Sequence, residues 1–356
     1  MTRAIAFYLP QFHPIPENDD WWGKGFTEWT NVGKAKRYFP GHYQPRVPAD
    51  LGYYDLRVPE TRTAQANMAK AYGIEGFAYW HYWFGNGKRL LERPFEEVLS
   101  SGEPNFPFCL NWANESWKGF EHGLMNRNVL IEQLYPGKDD FEAHFYAVLP
   151  ALLDKRYITV NGKPLFFILN PLSLPNPSAF IEQWQNLAIK NGLTGIYFVG
   201  QTIYKENFDK IILSSFDAVN VVRLADFLRY GRTIQTKVLD LAADVFLGIP
   251  NTYNFKDAIP YLSGNEDSLD GFIPTILSGW DHSPRSGKKG LILRNFTPEL
   301  FFQHAKMVTQ QITNKPDEER IVFIKSWNEW AEGNYLEPDI VYGKAFLEAL
   351  SSALKQ

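Results

Sequence analysis

A regular alternation of short apolar segments with helix-like segments constrains the fold of this chain more than any other feature. Eight segments of about four to eight residues are apolar and rich in β-branched or aromatic residues, as buried strands are. They cover residues 4–9, 76–83, 106–112, 164–169, 195–200, 218–222 and 272–277 and the run that begins at Ile321. Strands that alternate with helices pair in parallel, and eight such units close into a barrel. The sequence therefore predicts an α/β fold, a (β/α)8 TIM barrel with long βα loops.

The segments between the strands carry helix signals. Residues 59–72 begin with Pro59, have an Ala-rich body and stop at Gly73, as a well-delimited helix does. Further helices are predicted at residues 90–99, 141–153, 179–190, 297–312 and 344–354, with a short one near Phe208. Residues 224–260 are less regular and are predicted to hold a segment inserted over the site. Because no repeat or linker is visible, residues 1–356 are interpreted as one domain.

Polar aromatic clusters come after the predicted strands rather than before them. The second strand ends in Trp80-His81-Tyr82-Trp83, and the third runs into Trp112-Ala113-Asn114-Glu115. A polar and aromatic loop follows the first strand and reaches about residue 54, a length that is usually functional when it occurs. Barrels of this class place their active sites at the C-terminal ends of the strands. The site is therefore predicted at that end of the barrel.

The last predicted strand runs into Lys325-Ser326-Trp327-Asn328-Glu329-Trp330-Ala331-Glu332-Gly333. Cleavage of a glycosidic bond needs one carboxyl group to protonate the leaving oxygen and a second to act as base or nucleophile. The neighbouring tryptophans are expected to raise one carboxyl pKa by desolvation, and Lys325 to keep the other carboxyl ionised. Glu329 and Glu332 are therefore the predicted catalytic pair. The alternative is that one of them caps the final helix or pairs with a surface lysine.

Two other carboxylates compete with this pair. Glu115 is suited to binding sugar hydroxyls or to replacing one of the two glutamates, and equally to a loop salt bridge. Asp281 is suited to accepting two sugar hydroxyls, or to forming an Asx-turn ahead of Ser283-Pro284. Many barrel glycosidases carry an acid after strand four, but here that strand ends in Asn170. The catalytic prediction therefore rests on the pair after strand eight.

The high aromatic content, 16 % of the chain, suits a carbohydrate ligand. Sugar rings have apolar faces surrounded by hydroxyls, and aromatic rings beside polar side chains bind them well. The loop histidines, among them His42 and His282, are candidates for binding hydroxyls or for structural roles, and Arg285 is a candidate for an anionic group. The predicted substrate-binding residues are Tyr8, His13, Trp29, Trp80, His81, Trp112, Asn114, Glu115, Trp280, Asp281, Arg285, Trp327 and Asn328.

Composition argues against several other classes of protein. A formal charge of −4 gives no basic surface for nucleic acid, and a single cysteine, Cys109, excludes an intrachain disulfide framework. No His-Glu-x-x-His motif is present, so a zinc hydrolase is unsupported. The predicted enzyme is expected to work without a metal or an organic cofactor. No run of about 18 apolar residues predicts a membrane span. Met1-Thr2-Arg3 leads directly into a strand without a signal-peptide pattern, which predicts a cytoplasmic location.

Four motifs together resemble the WbsX-type proteins. They are Tyr8-Leu9-Pro10-Gln11-Phe12-His13, Gly25-Phe26-Thr27-Glu28-Trp29, Trp112-Ala113-Asn114-Glu115 and the segment from Trp327 to Gly333. That family is labelled a glycosyltransferase or lipopolysaccharide (O-antigen) biosynthesis family, and the likeness covers nearly the whole chain. The last motif is also similar to the glycoside hydrolase family 99 endo-α-mannosidases, which are (β/α)8 barrels. The N-terminal loops resemble WbsX rather than the mannosidases, so the identity of the substrate does not carry over.

The resemblance to those mannosidases implies a retaining reaction in which the substrate supplies its own nucleophile. By that match, Glu329 deprotonates the sugar 2-hydroxyl, and O2 attacks C1 to form a 1,2-anhydro sugar. Glu332 protonates the leaving oxygen and then deprotonates the incoming water or acceptor hydroxyl. This would explain why the chain shows no separate nucleophile after strand four.

Three hypotheses for function follow. The first is a glycoside hydrolase acting on an α-mannoside-like or rhamnoside-like oligosaccharide or polysaccharide. The second is a transferase of surface-polysaccharide assembly, in which a sugar hydroxyl replaces water. The third is a glycan-binding barrel that has lost catalysis, which would keep its aromatic residues and tolerate loss of the glutamates.

Overall fold

A ring of eight parallel strands surrounds the centre of the molecule. The computed structural model describes residues 2–119, 128–233 and 248–356. The ring consists of β1 (Arg3–Tyr8), β2 (Gly76–Trp83), β3 (Phe108–Trp112), β4 (Lys163–Ile168), β5 (Tyr197–Thr202), β6 (Ala218–Val221), β7 (Phe272–Leu277) and β8 (Ile321–Lys325). Each strand pairs with the next in chain order, and β8 pairs with β1 to close the ring, with Ile5 opposite Phe323. The predicted (β/α)8 TIM barrel is confirmed.

Helices separate the strands in sequence. They are α1 (Pro59–Ala71), α2 (Arg93–Ser101), α3 (Lys138–Leu152), α4 (Pro177–Lys190), α5 (Phe208–Leu213), α6 (Leu224–Tyr230), α7 (Pro298–Gln311) and α8 (Ala345–Leu354). Two of them have side-chain caps. Asn176 accepts from the amide of Ala179 at the start of α4, and Thr297 accepts from the amide of Leu300 at the start of α7.

The βα loops contain short elements of their own. The loop after β1, predicted only as a long loop, holds helices Pro16–Trp22 and Glu28–Gly33. Two more short helices lie after β6 and β7, at Phe255–Ala258 and Ser283–Ser286. Short strands are Arg89–Leu90, Trp117–Lys118, Val129–Ile131, Thr159–Val160, Asn251–Asn254, Leu291–Arg294, Asn328–Glu329 and Asn334–Tyr335. Single 3-10 turns are Pro171–Ser173, Lys205–Asn207, Ile259–Tyr261, Asn265–Ser268, Gly287–Lys289, Asp317–Glu319 and Trp330–Glu332.

Aromatic rings fill the interior of the barrel. The rings of Phe7 on β1 and Phe323 on β8 stack at 5.0 Å, and Phe167 on β4 meets both edge-on at 5.2 and 5.0 Å. Because β4 is not a neighbour of β1 or β8, these contacts cross the barrel. Trp80 of β2 stacks on Phe7 at 5.2 Å. This layer forms a rigid apolar floor beneath the C-terminal ends of the strands.

A smaller apolar cluster lies outside the barrel, where the sequence predicts an inserted segment. Asn251–Asn254 pairs in parallel with Leu291–Arg294, and Phe255 and Phe227 pack in the same cluster. The central part of the predicted insertion, residues 234–247, lies outside the described residues. Within the described ranges, no helix combines the length and the apolar character needed to cross a bilayer.

Candidate active site

The predicted catalytic pair lies on a short hairpin directly after β8. Asn328–Glu329 pairs antiparallel with Asn334–Tyr335, and a 3-10 turn, Trp330–Glu332, connects the two strands. Gly333 ends the turn in the left-handed region, at φ +65°, a conformation that glycine adopts without steric cost. Both glutamates are thereby held at the C-terminal mouth of the barrel.

Two contacts fix the hairpin to neighbouring strand ends. The Asn328 side chain accepts from the amide of Leu9 at 2.7 Å and donates to the carbonyl of Leu9 at 3.0 Å, at the end of β1. On the other side, the amide of Asp281 donates to the carbonyl of Glu332 at 2.7 Å. A Cβ added to Gly333 would lie 2.7 Å from Asp281, so only glycine permits this approach. The hairpin is therefore anchored on both flanks.

Glu329 is nearly buried between an indole and an ammonium group. Trp80 Nε1 donates to Glu329 Oε1 at 2.9 Å, and Lys325 Nζ lies 3.5 Å from Glu329 Oε2. Burial, followed by the negative charge of Glu332, raises the pKa of Glu329 to about 7, and Lys325 opposes this rise. Glu329 is therefore protonated below about pH 7 and still partly protonated at neutral pH.

Glu332 is surrounded by donors instead. Arg285 Nη1 donates to Glu332 Oε1 at 2.6 Å, and Lys325 Nζ lies 3.5 Å from Glu332 Oε2. Asn334 donates to Oε2 at 3.2 Å, and His282 Nε2 lies 3.8 Å from Oε1. Although burial opposes ionisation, Lys325 and Arg285 hold the pKa of Glu332 well below its ordinary value. With the pKa of Glu329 raised, the pair carries one shared proton near neutral pH.

A cleft of about 510 Å³ opens beside the pair. Its wall includes aromatic side chains (Trp80, Tyr82, Trp117 and Trp280) and amide side chains (Asn170, Gln201 and Asn207). Such a mixture of rings and neutral polar groups suits the faces and hydroxyls of sugars. The structure brings six of the predicted site residues together in this wall: Trp80, Glu115, Trp280, Arg285, Glu329 and Glu332.

The remaining predicted residues lie away from the cleft wall, and several belong to the barrel's packing. Trp112 is buried and donates to the carbonyl of Trp83 at 3.0 Å. His81 Nε2 meets His144 Nε2 on α3 at 2.8 Å. Burial lowers the pKa of both imidazoles, that of His81 to about 3, so they are neutral. His81 and Trp112 therefore join β2 and β3 to their neighbours and to the surrounding helices.

Asp281 adopts the alternative considered for it, an Asx-turn. Its Oδ1 accepts from the amide and hydroxyl of Ser283 at 3.0 and 2.6 Å. Its Oδ2 accepts from His42 and Gln44 at 2.8 and 2.7 Å. The carboxylate is 1 % exposed and fully engaged by the protein. It therefore supports the loop after β7 and does not face the cleft.

The other residues predicted to bind substrate also contact groups of the protein itself. Tyr8 donates to Gln65, Trp29 to the carbonyl of Tyr54, and Asn114 to the carbonyl of Asn170. His13 Nδ1 is 3.0 Å from the carbonyl of Pro10. Trp327 is fully buried and packs on Phe77, and Asn328 holds Leu9 as described above.

One contact beside the predicted pair was not predicted from the sequence. Glu28, from the helix Glu28–Gly33, accepts from Arg285 Nε and Nη2 at 3.1 and 2.7 Å. The two residues are 257 positions apart, and no local pattern marks Glu28 as a partner of Arg285. The amides of Gln201, near the end of β5, and of Asn207, in the loop after it, were likewise missed, because a neutral amide in the sequence does not by itself indicate a binding site.

Known proteins are similar to this chain over nearly its whole length. Residues 4–350 match the sequence profile of the family described as glycosyltransferase WbsX. An uncharacterised protein, WxcX, of Xanthomonas campestris pv. campestris strain B100 is 38 % identical over 363 residues. WxcX from a second strain of the same pathovar is 37 % identical over 356 residues. Each alignment covers 99 % of this chain and 50 % of the relative, so the chain spans about half the length of these relatives.

Solved structures share the fold at low sequence identity. The glycoside hydrolase family 99 endo-α-mannosidase of Bacteroides thetaiotaomicron aligns with a TM-score of 0.61 and 14 % identity, over 99 % of this chain and 96 % of that one. A glycoside hydrolase-like protein aligns with a TM-score of 0.63 and 14 % identity, over 99 % and 94 % of the two chains. At this identity the likeness establishes the barrel fold.

Proposed function

The chain belongs to the glycosyltransferase WbsX family, a family of carbohydrate-active enzymes, and from that membership we propose that its cleft breaks or transfers a glycosidic bond. Glu329 and Glu332 are the acid/base pair in this proposal. The observation that carries it is geometric: two carboxyl groups on one hairpin line the same cleft at the mouth of the barrel. The opposite directions of their pKa shifts support the assignment. General acid/base catalysis needs one protonated and one ionised group.

The proposed reaction is the neighbouring-group mechanism that the motif implies. Glu329 takes the proton of the substrate 2-hydroxyl while O2 attacks C1 and the bond from C1 to the leaving oxygen breaks. Glu332 gives its proton to that oxygen. Water or an acceptor hydroxyl then opens the 1,2-anhydro ring at C1, giving its proton to Glu332, while O2 recovers its proton from Glu329. Two inversions at C1 give retention.

This sequence requires the pair's proton to begin on Glu332. The directions of the two pKa shifts instead favour the proton on Glu329. Each carboxyl group shifts the pKa of the other, and both line the same cleft, so a proton can pass between them. We propose that substrate binding drives this transfer, because a 2-hydroxyl docked on Glu329 favours its ionised form.

The substrate is proposed to be a neutral glycan of α-mannoside-like or rhamnoside-like configuration. The family 99 enzyme that shares the fold is an endo-α-mannosidase. Among the described residues, both cations in the cleft wall, Arg285 and Lys325, are already paired with glutamates. A nucleotide-sugar donor would require cations for its diphosphate. A glycan donor, cleaved by water or transferred to a sugar hydroxyl, suits this wall better.

Transfer to an acceptor is the second candidate function. It is favoured by the description of the family as glycosyltransferases. The same pair serves both outcomes, because Glu332 would deprotonate an acceptor hydroxyl as it deprotonates water. Which outcome prevails depends on whether the cleft holds an acceptor sugar when the 1,2-anhydro ring opens.

The proposal is tested by incubating the protein with α-linked oligosaccharides, with and without acceptor sugars and nucleotide-sugar donors. Release of sugar with retained configuration is expected, and Glu329→Gln and Glu332→Gln should each abolish it. Glu348→Gln, which changes an exposed glutamate on α8, is the matched control and should be fully active. Turnover only with a nucleotide sugar would overturn the choice of donor. Unchanged turnover in both cleft variants would reject the catalytic pair, and glycan binding without turnover would favour the non-catalytic hypothesis.

A further inference from the structure

Arg285 is shared between two carboxylates that reach it from different parts of the chain. Its Nη1 donates to Glu332 at 2.6 Å, while its Nε and Nη2 donate to Glu28 at 3.1 and 2.7 Å. The side chains of Arg285 and Glu28 are 9 % and 1 % exposed. A buried guanidinium with both edges occupied has a fixed orientation.

Glu28 is itself held firmly behind the catalytic hairpin. It is the first residue of the helix Glu28–Gly33, and its amide donates to the carbonyl of Gln11 at 2.9 Å. The next residue, Trp29, packs on Trp330 of the catalytic turn with ring centroids 5.4 Å apart. The long loop after β1 therefore delivers a buried carboxylate to the rear of the active site.

Several charged or titratable groups face Glu332: Arg285 at 2.6 Å, Lys325 at 3.5 Å, His282 at 3.8 Å, and Glu329 on the same hairpin. Glu28 contacts Arg285 from the opposite side. Two carboxylates on one guanidinium each receive a weaker attraction than one alone, because each repels the other. Glu332 consequently feels less net positive charge than its direct contact with Arg285 suggests.

We propose that Glu28 is a positioning residue of the catalytic pair, which orients Arg285 and offsets part of its charge so that Glu332 can still accept a proton. This rests on the proposed function, in which Glu332 must hold a proton when the leaving oxygen departs. Without Glu28, the full attraction of Arg285 would fall on Glu332 and the pair would release its shared proton at lower pH.

The test is the pH dependence of kcat/KM in Glu28→Gln, which keeps the shape of the side chain and removes its charge. The basic limb of the profile, where the pair loses its proton, should move to lower pH by about 0.5–1 unit. Glu28→Asp keeps the charge but withdraws it from Arg285, so it should move the limb in the same direction by less. If Glu28→Gln does not fold, Glu28→Asp carries the test alone.

Glu17→Gln is the matched control. Glu17 lies in the same loop, in the helix Pro16–Trp22, but pairs with Lys88 at the surface. It should leave the profile unchanged. A basic limb that coincides with that of the parent protein in both Glu28 variants would overturn the proposal, even if activity is uniformly lower, because a purely structural role would lower activity without moving the limb.

A second readout does not require turnover. The shared proton can be followed by ¹³C NMR of labelled glutamate side chains, with the signal assigned by its loss in Glu329→Gln. The pH midpoint of this titration should be lower in Glu28→Gln than in the parent protein. An unchanged midpoint would reject the proposal. Failure of the proposed function would give a different result. The parent protein would show no turnover, while the pKa of its glutamate pair could still be measured and would still change in Glu28→Gln.

Discussion

The indole N–H of Trp80 donates to Glu329 at 2.9 Å, joining the end of β2 to the hairpin after β8. The same indole stacks on Phe7 in the floor of the barrel. Trp80 thus connects the packed interior to the carboxyl group that carries the resting proton. Its N–H stabilises the ionised form of Glu329, because a donor favours a carboxylate over a carboxylic acid.

Trp80→Phe should therefore raise the pKa of Glu329 further and slow the reaction. We expect kcat/KM to fall about tenfold, the equivalent of one hydrogen bond of about 1.4 kcal/mol, and its basic limb to move to higher pH. Trp184→Phe is the control, since Trp184 donates to the carbonyl of Phe141 at 3.0 Å in the surrounding helices. A profile that stays in place in Trp80→Phe would contradict a role for this hydrogen bond.

The roles of the two glutamates can be separated with an activated substrate. A glycosyl fluoride needs little protonation of its leaving group, so a variant that lacks the acid retains activity on it. We expect Glu332→Gln to lose about 10²–10⁴ in kcat on a natural glycosidic bond and far less on the fluoride. Glu329→Gln should lose activity on both, because the 2-hydroxyl is no longer deprotonated. The opposite pattern would assign the acid to Glu329, where the resting proton lies.

The burial of Glu337 leads us to predict that the stability of the folded protein depends on pH. This carboxyl accepts from Tyr54 at 2.8 Å and from Gln65 and Trp330 at 2.6 Å each. Burial raises its pKa from 4.5 to about 7 despite these donors. A raised pKa means that the folded protein favours the protonated form, so this contribution to stability is complete below about pH 4.5 and is lost as the pH rises to about 7 and beyond.

Glu337→Gln removes this titration. The free energy of unfolding of the variant, relative to that of the parent, should therefore rise by about 2.5 kcal/mol when the pH is raised from 5 to 8. Urea unfolding at both pH values measures the difference, and titration of Glu329 affects both proteins equally. If the variant and the parent differ in free energy of unfolding by the same amount at both pH values, Glu337 does not titrate in this range.

Gly333 should resist any larger residue. Its φ of +65° is strained for alanine, and a Cβ would lie 2.7 Å from the backbone and side chain of Asp281. Gly343 has φ +53° but open space around the position of its Cβ. Gly343→Ala should cost about 1–2 kcal/mol from the backbone alone, measured by chemical unfolding. Gly333→Ala should cost more and should also reduce kcat, and equal costs would mean that the close approach to Asp281 is unimportant.

The barrel could be predicted because its strands are apolar on both faces, which makes each one a continuous hydrophobic run. The observed ends of some helices and strands differ from the predicted ones, because local pairing or a proline sets them. The helix predicted from residue 90 begins at Arg93, because Leu90 pairs with Tyr82 and Pro94 occupies the first turn. The predicted third strand begins at Phe108, directly after Pro107.

The site was predicted less completely, because adjacent residues of a strand face opposite sides. Trp80 reaches the cleft, whereas His81 turns outward to His144 on α3. An aromatic cluster at a strand end does not indicate which members face the substrate. Partners such as Glu28 and Arg285 meet only because the closed barrel brings the loops after β1 and β7 together.

Both proposed catalytic carboxyls belong to one short hairpin, while the amide-lined wall of the cleft comes from the loops after β4 and β5. In this proposal, the groups that react and the amides that would bind the sugar lie in separate stretches of the sequence. We therefore expect an exchange of the segments around Asn170 and Asn207 to alter the sugar that is accepted while the proposed catalytic pair stays in place. The scaffold is in that sense a modular one, suited to retargeting by loop exchange.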